Sequence, residues 1–160
     1  METGFIWSID LLSHLVRQQV NALLAPIGLT FPKYSALKAL QSVQALTNAD
    51  LARACMVRPQ TMNSMVRDLE GAGLISPSST PDHSLKILYT LTPQAQELLA
   101  HAHHIVQALE NQFLIGLGPE KVAEMQAMMD NTLARLQQGT RQSAPIGAKT
   151  APKGRKQPFL

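Results

Sequence analysis

Residues 46–75 read LTNADLARACMVRPQTMNSMVRDLEGAGLI, and the spacing within this stretch decides the fold. Thr47 followed three residues later by Asp50 predicts a helix N-cap with an acid at N3, opening a short helix over 48–54. Four residues, 55–58, then form a turn. Pro59, whose missing N–H costs nothing in a first helical turn, opens a second helix that Gly71 and Gly73 stop. The first helix turns Leu51 and Ala52 inward, and the second places Met62, Met65, Val66 and Leu69 on one face. Helix, tight turn and helix is the layout of a DNA-binding helix-turn-helix.

The opposite face of the second helix carries Gln60, Thr61, Asn63, Ser64 and Arg67. Amides can pair with adenine, hydroxyls with any base, and arginine with guanine or phosphate. Arg53, Arg58 and Pro59 stand at the helix entry, where phosphates would run. The competing reading is a helical hairpin whose polar face is simply solvated.

Outward from this stretch the pattern is mostly helical. Toward the N-terminus, Phe5, Ile9, Leu12, Leu15, Val16, Val20, Leu23 and Leu24 recur at helical steps over 5–24, and Pro26 and Gly28 end that helix. A further helix runs from about Pro32 through Tyr34, Leu37 and Leu40 to about Val43. Toward the C-terminus, Leu74 and Ile75, a polar loop, and the strand-prone residues 86–91 predict a hairpin. Thr92 and Pro93 reopen helix to the break at Gly116 and Gly118, and a last helix covers about 119–138. Residues 139–160, rich in Gly, Pro, Ser and Lys, read as a disordered basic tail.

The predicted fold is therefore mainly α. It is a winged helix-turn-helix with a DNA-binding lobe over about 32–92, a two-stranded wing, and long terminal helices over about 5–24 and 93–138. The terminal helices carry more apolar surface than a 138-residue body can cover, so a second copy of the chain is the simplest cover.

Composition bounds the alternatives. The 160 residues hold 14 Lys plus Arg against 11 Asp plus Glu, a net charge of +3. The tail alone holds Arg141, Lys149, Lys153, Arg155 and Lys156 with no acid, so residues 1–138 carry nine bases against eleven acids, or −2. The tail is either an arm that touches phosphates or a solvated, solubilising extension. Cys55 is the single cysteine, which excludes an internal disulfide framework and fits a reducing cytosol. The chain contains no apolar run of the roughly 20 residues a membrane helix needs, so a cytoplasmic location is expected. It also lacks a glycine-rich phosphate loop and a nucleophile with a matched base, so no catalytic residues, cofactor or metal are expected.

The ordered set of Gly28-Leu29-Thr30 with Pro32 and Tyr34, Leu51-Ala52, Pro59-Gln60-Thr61-Met62 through Leu69-Glu70, Gly73-Leu74 and Leu91-Thr92-Pro93 resembles the MarR-type winged helix-turn-helix regulators over about residues 6–138. The resemblance implies a ligand-responsive transcriptional regulator, most often a repressor. It implies a homodimer joined through the terminal helices, with recognition helices in adjacent major grooves of a pseudo-palindromic duplex, half-sites about 34 to 36 Å apart. It also implies DNA contacts from the wing, at His83, Ser84 and Lys86 here. This wing departs from the family. Where relatives place an acid followed by one or two arginines, this chain has His83, Ser84 and Leu85, and Lys86 is the sole permanent cation between Arg67 and Lys121. Residues 47–92 hold four bases and four acids, a neutral domain, which predicts weaker and less salt-sensitive DNA binding. The alternative function is accordingly a MarR-like dimeric interaction or ligand-sensing module.

Three further groups remain. Trp7, His14 and Arg17, with Tyr34, lie where the resemblance places small aromatic effectors, and Arg17 could hold an aromatic carboxylate, although core packing explains the same residues. His101, His103 and His104, with Glu97 one turn earlier, are better read as surface or interface residues than as metal ligands. Cys55 is better read as a small core residue than as a redox sensor.

Overall fold

The structure is a computed structural model that describes residues 4–78 and 87–142. Its packing divides the chain into two units, Met1–Phe113 and Leu114–Leu160. In the first unit, α1 (Phe5–Leu24) ends in a short 3-10 turn at Ala25–Ile27, and α2 (Phe31–Val43) follows. Gly28, at φ 76, makes the reversal between them in a left-handed conformation that costs glycine little. The start of α2 is tied twice, because Thr30 caps it and the Asn21 side chain on α1 accepts a 2.7 Å hydrogen bond from the Phe31 backbone N–H.

The helix-turn-helix forms as the caps dictate. β1 (Leu46–Thr47) leads into α3 (Asn48–Ala54), and α4 (Pro59–Gly71) follows the turn. Thr47 Oγ1 accepts from the Asp50 backbone N–H at 3.2 Å, while the Asp50 carboxylate accepts from the Thr47 hydroxyl at 2.5 Å and from its backbone N–H at 3.3 Å. These bonds hold the Asp50 carboxyl below the usual carboxylate range, the Thr47 hydroxyl first and then the Thr47 backbone, with a further contribution from Arg53. A depressed carboxyl contributes stability that is present above its unfolded pKa and lost as pH falls through the folded one. Thr47→Ala is thus expected to cost about 1 kcal/mol at neutral pH. The difference from the parent should shrink in acid, read from thermal melts between pH 7 and pH 2; a constant difference across that range would contradict the stabilising bond from the Thr47 hydroxyl to the Asp50 carboxylate.

Within the turn, Met56 takes φ 52, which is strained for a residue with a Cβ, and its side chain is exposed. Burial pushes the neighbouring Cys55 thiol above its ordinary range. Cys55 packs against the core, which fits a small apolar residue and suits a reactive thiolate poorly.

The sheet contains the expected hairpin and one strand more. Leu46–Thr47 pairs with β3 (Leu88–Leu91), which also pairs with β2 (Ile75–Pro77), so the sheet has three antiparallel strands in the order β1-β3-β2. The expectation of a two-stranded wing missed β1 because two residues are too short to show a strand period. Pro77 sits on an edge strand, where its missing N–H is tolerated. Thr92 then caps α5 (Pro93–Phe113), accepting from the Ala95 N–H at 3.2 Å, and its hydroxyl donates to the Gly73 carbonyl at 2.7 Å.

The core of this unit is built from α1 to α5 and the strands. Leu24, Leu29, Leu37, Leu40, Leu51, Met62, Leu69, Ile75 and Leu99 are its largest fully buried side chains. α5 packs on both α1 and α2, and a 3.2 Å ion pair between Lys33 and Asp68 joins α2 to α4. Along α1 the pattern changes, since Phe5, Ile6, Trp7, Ile9, Leu12 and Leu15 are exposed while Val20 and Leu24 are buried.

The second unit contains α6 (Pro119–Gln142). The helix continues four residues past the expected end at 138, into the segment read as tail. Met125, Met128, Met129, Leu133 and Leu136 are exposed along it.

Candidate nucleic-acid interface

α4 is amphipathic in the sense the sequence predicts. Met62, Met65, Val66 and Leu69 are buried, and Gln60, Thr61, Asn63, Ser64 and Arg67 are exposed. Arg58 occupies the N-cap position of α4 and Pro59 its first turn, both exposed, so the helix N-terminus and its partial positive charge stand open to an anion. Together these residues offer amide, hydroxyl and guanidinium groups on a rigid element whose other side is clamped in the core.

Two of the expected DNA contacts are engaged within the protein. Arg53 is hydrogen-bonded to Asp50 in an ion pair one helical turn apart, so its charge is partly compensated. Asn48 Nδ2 donates to Asn63 Oδ1, which links the first turn of α3 to the outward face of α4. Neither tie is visible as a sequence period, although the capping acid at Asp50 three residues before Arg53 was a signal for the first.

A cleft of about 360 Å³ lies beside this face, lined by Asn48, Gln60, Asn63, Val66, Arg67 and Tyr89. A second, of about 430 Å³, runs between the start of α3 and the strand, lined by Thr47, Asn48, Ala49, Asp50, Arg53, Ile87 and Tyr89. Tyr89, half-buried on β3, borders both, and sequence reasoning passed over it as a strand residue. His83, Ser84 and Lys86 lie outside the described residues.

The expected effector residues separate into two places. Trp7, His14 and Arg17 share a cleft of about 320 Å³ with Asp10, Leu11 and Ser13 on α1. Tyr34 is instead buried, and its hydroxyl shares a 3.3 Å hydrogen bond with His103 Nδ1 on α5. Burial pushes the Tyr34 phenol above its ordinary range, and the Glu110 carboxylate adds to the shift. The Arg17 guanidinium stands 5.9 Å from the centroid of the Phe31 ring, a cation–π distance. Phe31 also lines an apolar hollow of about 240 Å³ with Val16, Val20, Val106, Leu109, Glu110 and Phe113, which the sequence pattern alone did not delimit. Among the described residues no three His, Cys, Asp or Glu side chains are grouped to hold a metal, and the histidine helix instead serves the Tyr34 contact.

Comparison with known proteins places these features in context. Residues 27–84 match the model of the MarR family. The HTH-type transcriptional repressor Mb2911 of Mycobacterium bovis is 32% identical over 116 residues, covering 72% of this chain and 84% of the relative. Among solved structures, the Mycobacterium tuberculosis MarR family protein Rv2887 in complex with salicylic acid is similar with a TM-score of 0.63 at 28% identity, covering 82% of this chain and 99% of that one. The S. aureus MepR–DNA complex reaches a TM-score of 0.74 at 23% identity, over 84% of this chain and 98% of that one, which is a likeness of fold.

Proposed function

This chain belongs to the MarR family of winged helix-turn-helix transcriptional regulators, and from that premise we propose that it is a homodimeric, ligand-responsive repressor whose α4 reads a pseudo-palindromic DNA site. The family regulates transcription and is not an enzyme class. The observation that carries the reading is the exposed set Gln60, Thr61, Asn63, Ser64 and Arg67 on a helix whose opposite face is buried.

Dimer formation is supported by the side chains that water would otherwise meet. Phe5, Ile6 and Trp7 are 77%, 83% and 60% exposed at the start of α1, and α6 carries its own row of exposed Met and Leu. Each is a large apolar side chain worth about 1.5–3 kcal/mol on full burial, which opposes the cost of association when a second copy covers them. No helix among the described residues is long and apolar enough to cross a membrane, and a location in the cytoplasm follows from the proposed binding to DNA.

A small aromatic effector is supported by the similar structure in complex with salicylic acid, by the cleft of Trp7, His14 and Arg17, and by the apolar hollow that Phe31 lines. Its action requires only that it bind one spacing of the two α4 helices better than the other. A second reading, a ligand-sensing module that binds DNA weakly, is favoured by the neutral charge of residues 47–92 and by the Arg53–Asp50 pair.

A gel shift of the full chain on its own upstream DNA, at two salt concentrations and with and without salicylate, separates the readings. The repressor reading expects a band that random DNA does not compete away and that salicylate diminishes. A band lost equally to random DNA would favour the module.

A further inference from the structure

Asn48 is the first residue of α3, one position past the N-cap, and the capping is done by Thr47 and Asp50. Its side chain instead crosses to α4 and donates from Nδ2 to Asn63 Oδ1. A free asparagine offers a base edge both an acceptor and two donors, which is why it suits adenine with its N6 donor beside its N7 acceptor. With Oδ1 already accepting from Asn48, the outward part of the Asn63 amide is its NH₂ group. Asn48 and Asn63 border the same cleft as Gln60 and Arg67, so the oriented amide lies among the other reading groups.

From this geometry we infer that Asn48 is a specificity-setting residue that touches no base itself: it turns Asn63 so that the recognition helix presents donors, and thereby selects guanine, whose N7 and O6 both accept, over adenine. The inference rests on the reading of α4 as the DNA-contacting helix. Asn48 is a positioning residue, and its effect falls on one base position in each half-site while the remaining contacts are unchanged.

The test is a selection of the full-length protein on a randomised duplex library, followed by relative affinities for duplexes changed at single positions. The wild type is expected to prefer guanine at one position per half-site by roughly tenfold, within the range a good base contact supplies. Asn63→Ala should flatten that position, and Asn48→Ala should relax it toward adenine. Asn48→Asp is the more demanding variant. A carboxylate can only accept, so Asn63 must donate to it and turn Oδ1 outward, which should move the preference to cytosine with its N4 donor. An acid in the first helical turn is compatible with the helix dipole, so this variant should fold, and its added charge should weaken all duplexes by a common factor on which the shift toward cytosine is superimposed.

If Asn63→Ala flattens a position but neither Asn48 variant alters the preference there, the role of Asn48 is overturned while the reading of α4 stands. If Asn63→Ala changes no position, the assignment of Asn63 to DNA fails, and the role of Asn48 fails with it.

Discussion

Leu51→Ala should lower the melting temperature of the protein by roughly 5–20 °C, the shift for a loss of about 2–5 kcal/mol in a chain of this size. Leu51 is fully buried in the core at the junction of α3 with α4 and α2. Removing its branched end loses the transfer free energy of three carbons and leaves a cavity in the same buried cluster that holds Met62 and Leu69 of α4. Net stabilities are commonly about 5–15 kcal/mol, so this one change removes a sizeable share. DNA binding should fall with it, because α4 would no longer be held at a fixed angle. Leu51→Met, which conserves volume, should cost less than about 1.5 kcal/mol. Thermal unfolding followed by circular dichroism checks both, and equal melting temperatures for the two variants would show that Leu51 does not anchor α4.

The other large effect concerns recognition. Gln60→Ala or Arg67→Ala should reduce affinity for the selected duplex by roughly 5- to 150-fold, the equivalent of about 1–3 kcal/mol, with little change on random DNA. Both side chains are exposed on α4, so truncation opens no cavity and a loss of affinity reads the proposed contacts to DNA. Arg58→Ala should behave differently. Its position at the N-cap of α4 suits a phosphate, so its loss should weaken specific and random duplexes in similar proportion and reduce the salt slope by about one. Binding isotherms at several salt concentrations distinguish the two classes. A uniform loss for Gln60→Ala, or a sequence-selective loss for Arg58→Ala, would reverse the assigned roles.

Much of this arrangement was legible in the linear chain because helix starts and faces are local matters. The Thr47–Asp50 box, Pro59, and the spacing of Met62, Val66 and Leu69 all act within a turn or two, and α1, α2, α3 and α4 begin within a residue of where those signals place them. The exposed face of α4 followed from the same period. Composition is a weaker signal than period or capping. Composition predicts an end to the last helix at about 138, yet it continues to Gln142, because Gly139 and Thr140 weaken a helix without terminating it.

Local period and capping thus determined, from sequence alone, which residues form the helix-turn-helix and which of them face outward. They could not determine how the outward groups are engaged, since that depends on residues brought together through space. Leu46 meets Tyr89 across the sheet and supplies the third strand. Tyr34 meets His103, 69 residues on, and Asn48 takes hold of Asn63, 15 residues on. A hydrogen bond requires its partners within about 3 Å, and for groups on different elements that distance is set by packing of the core between them, which no one-dimensional period encodes.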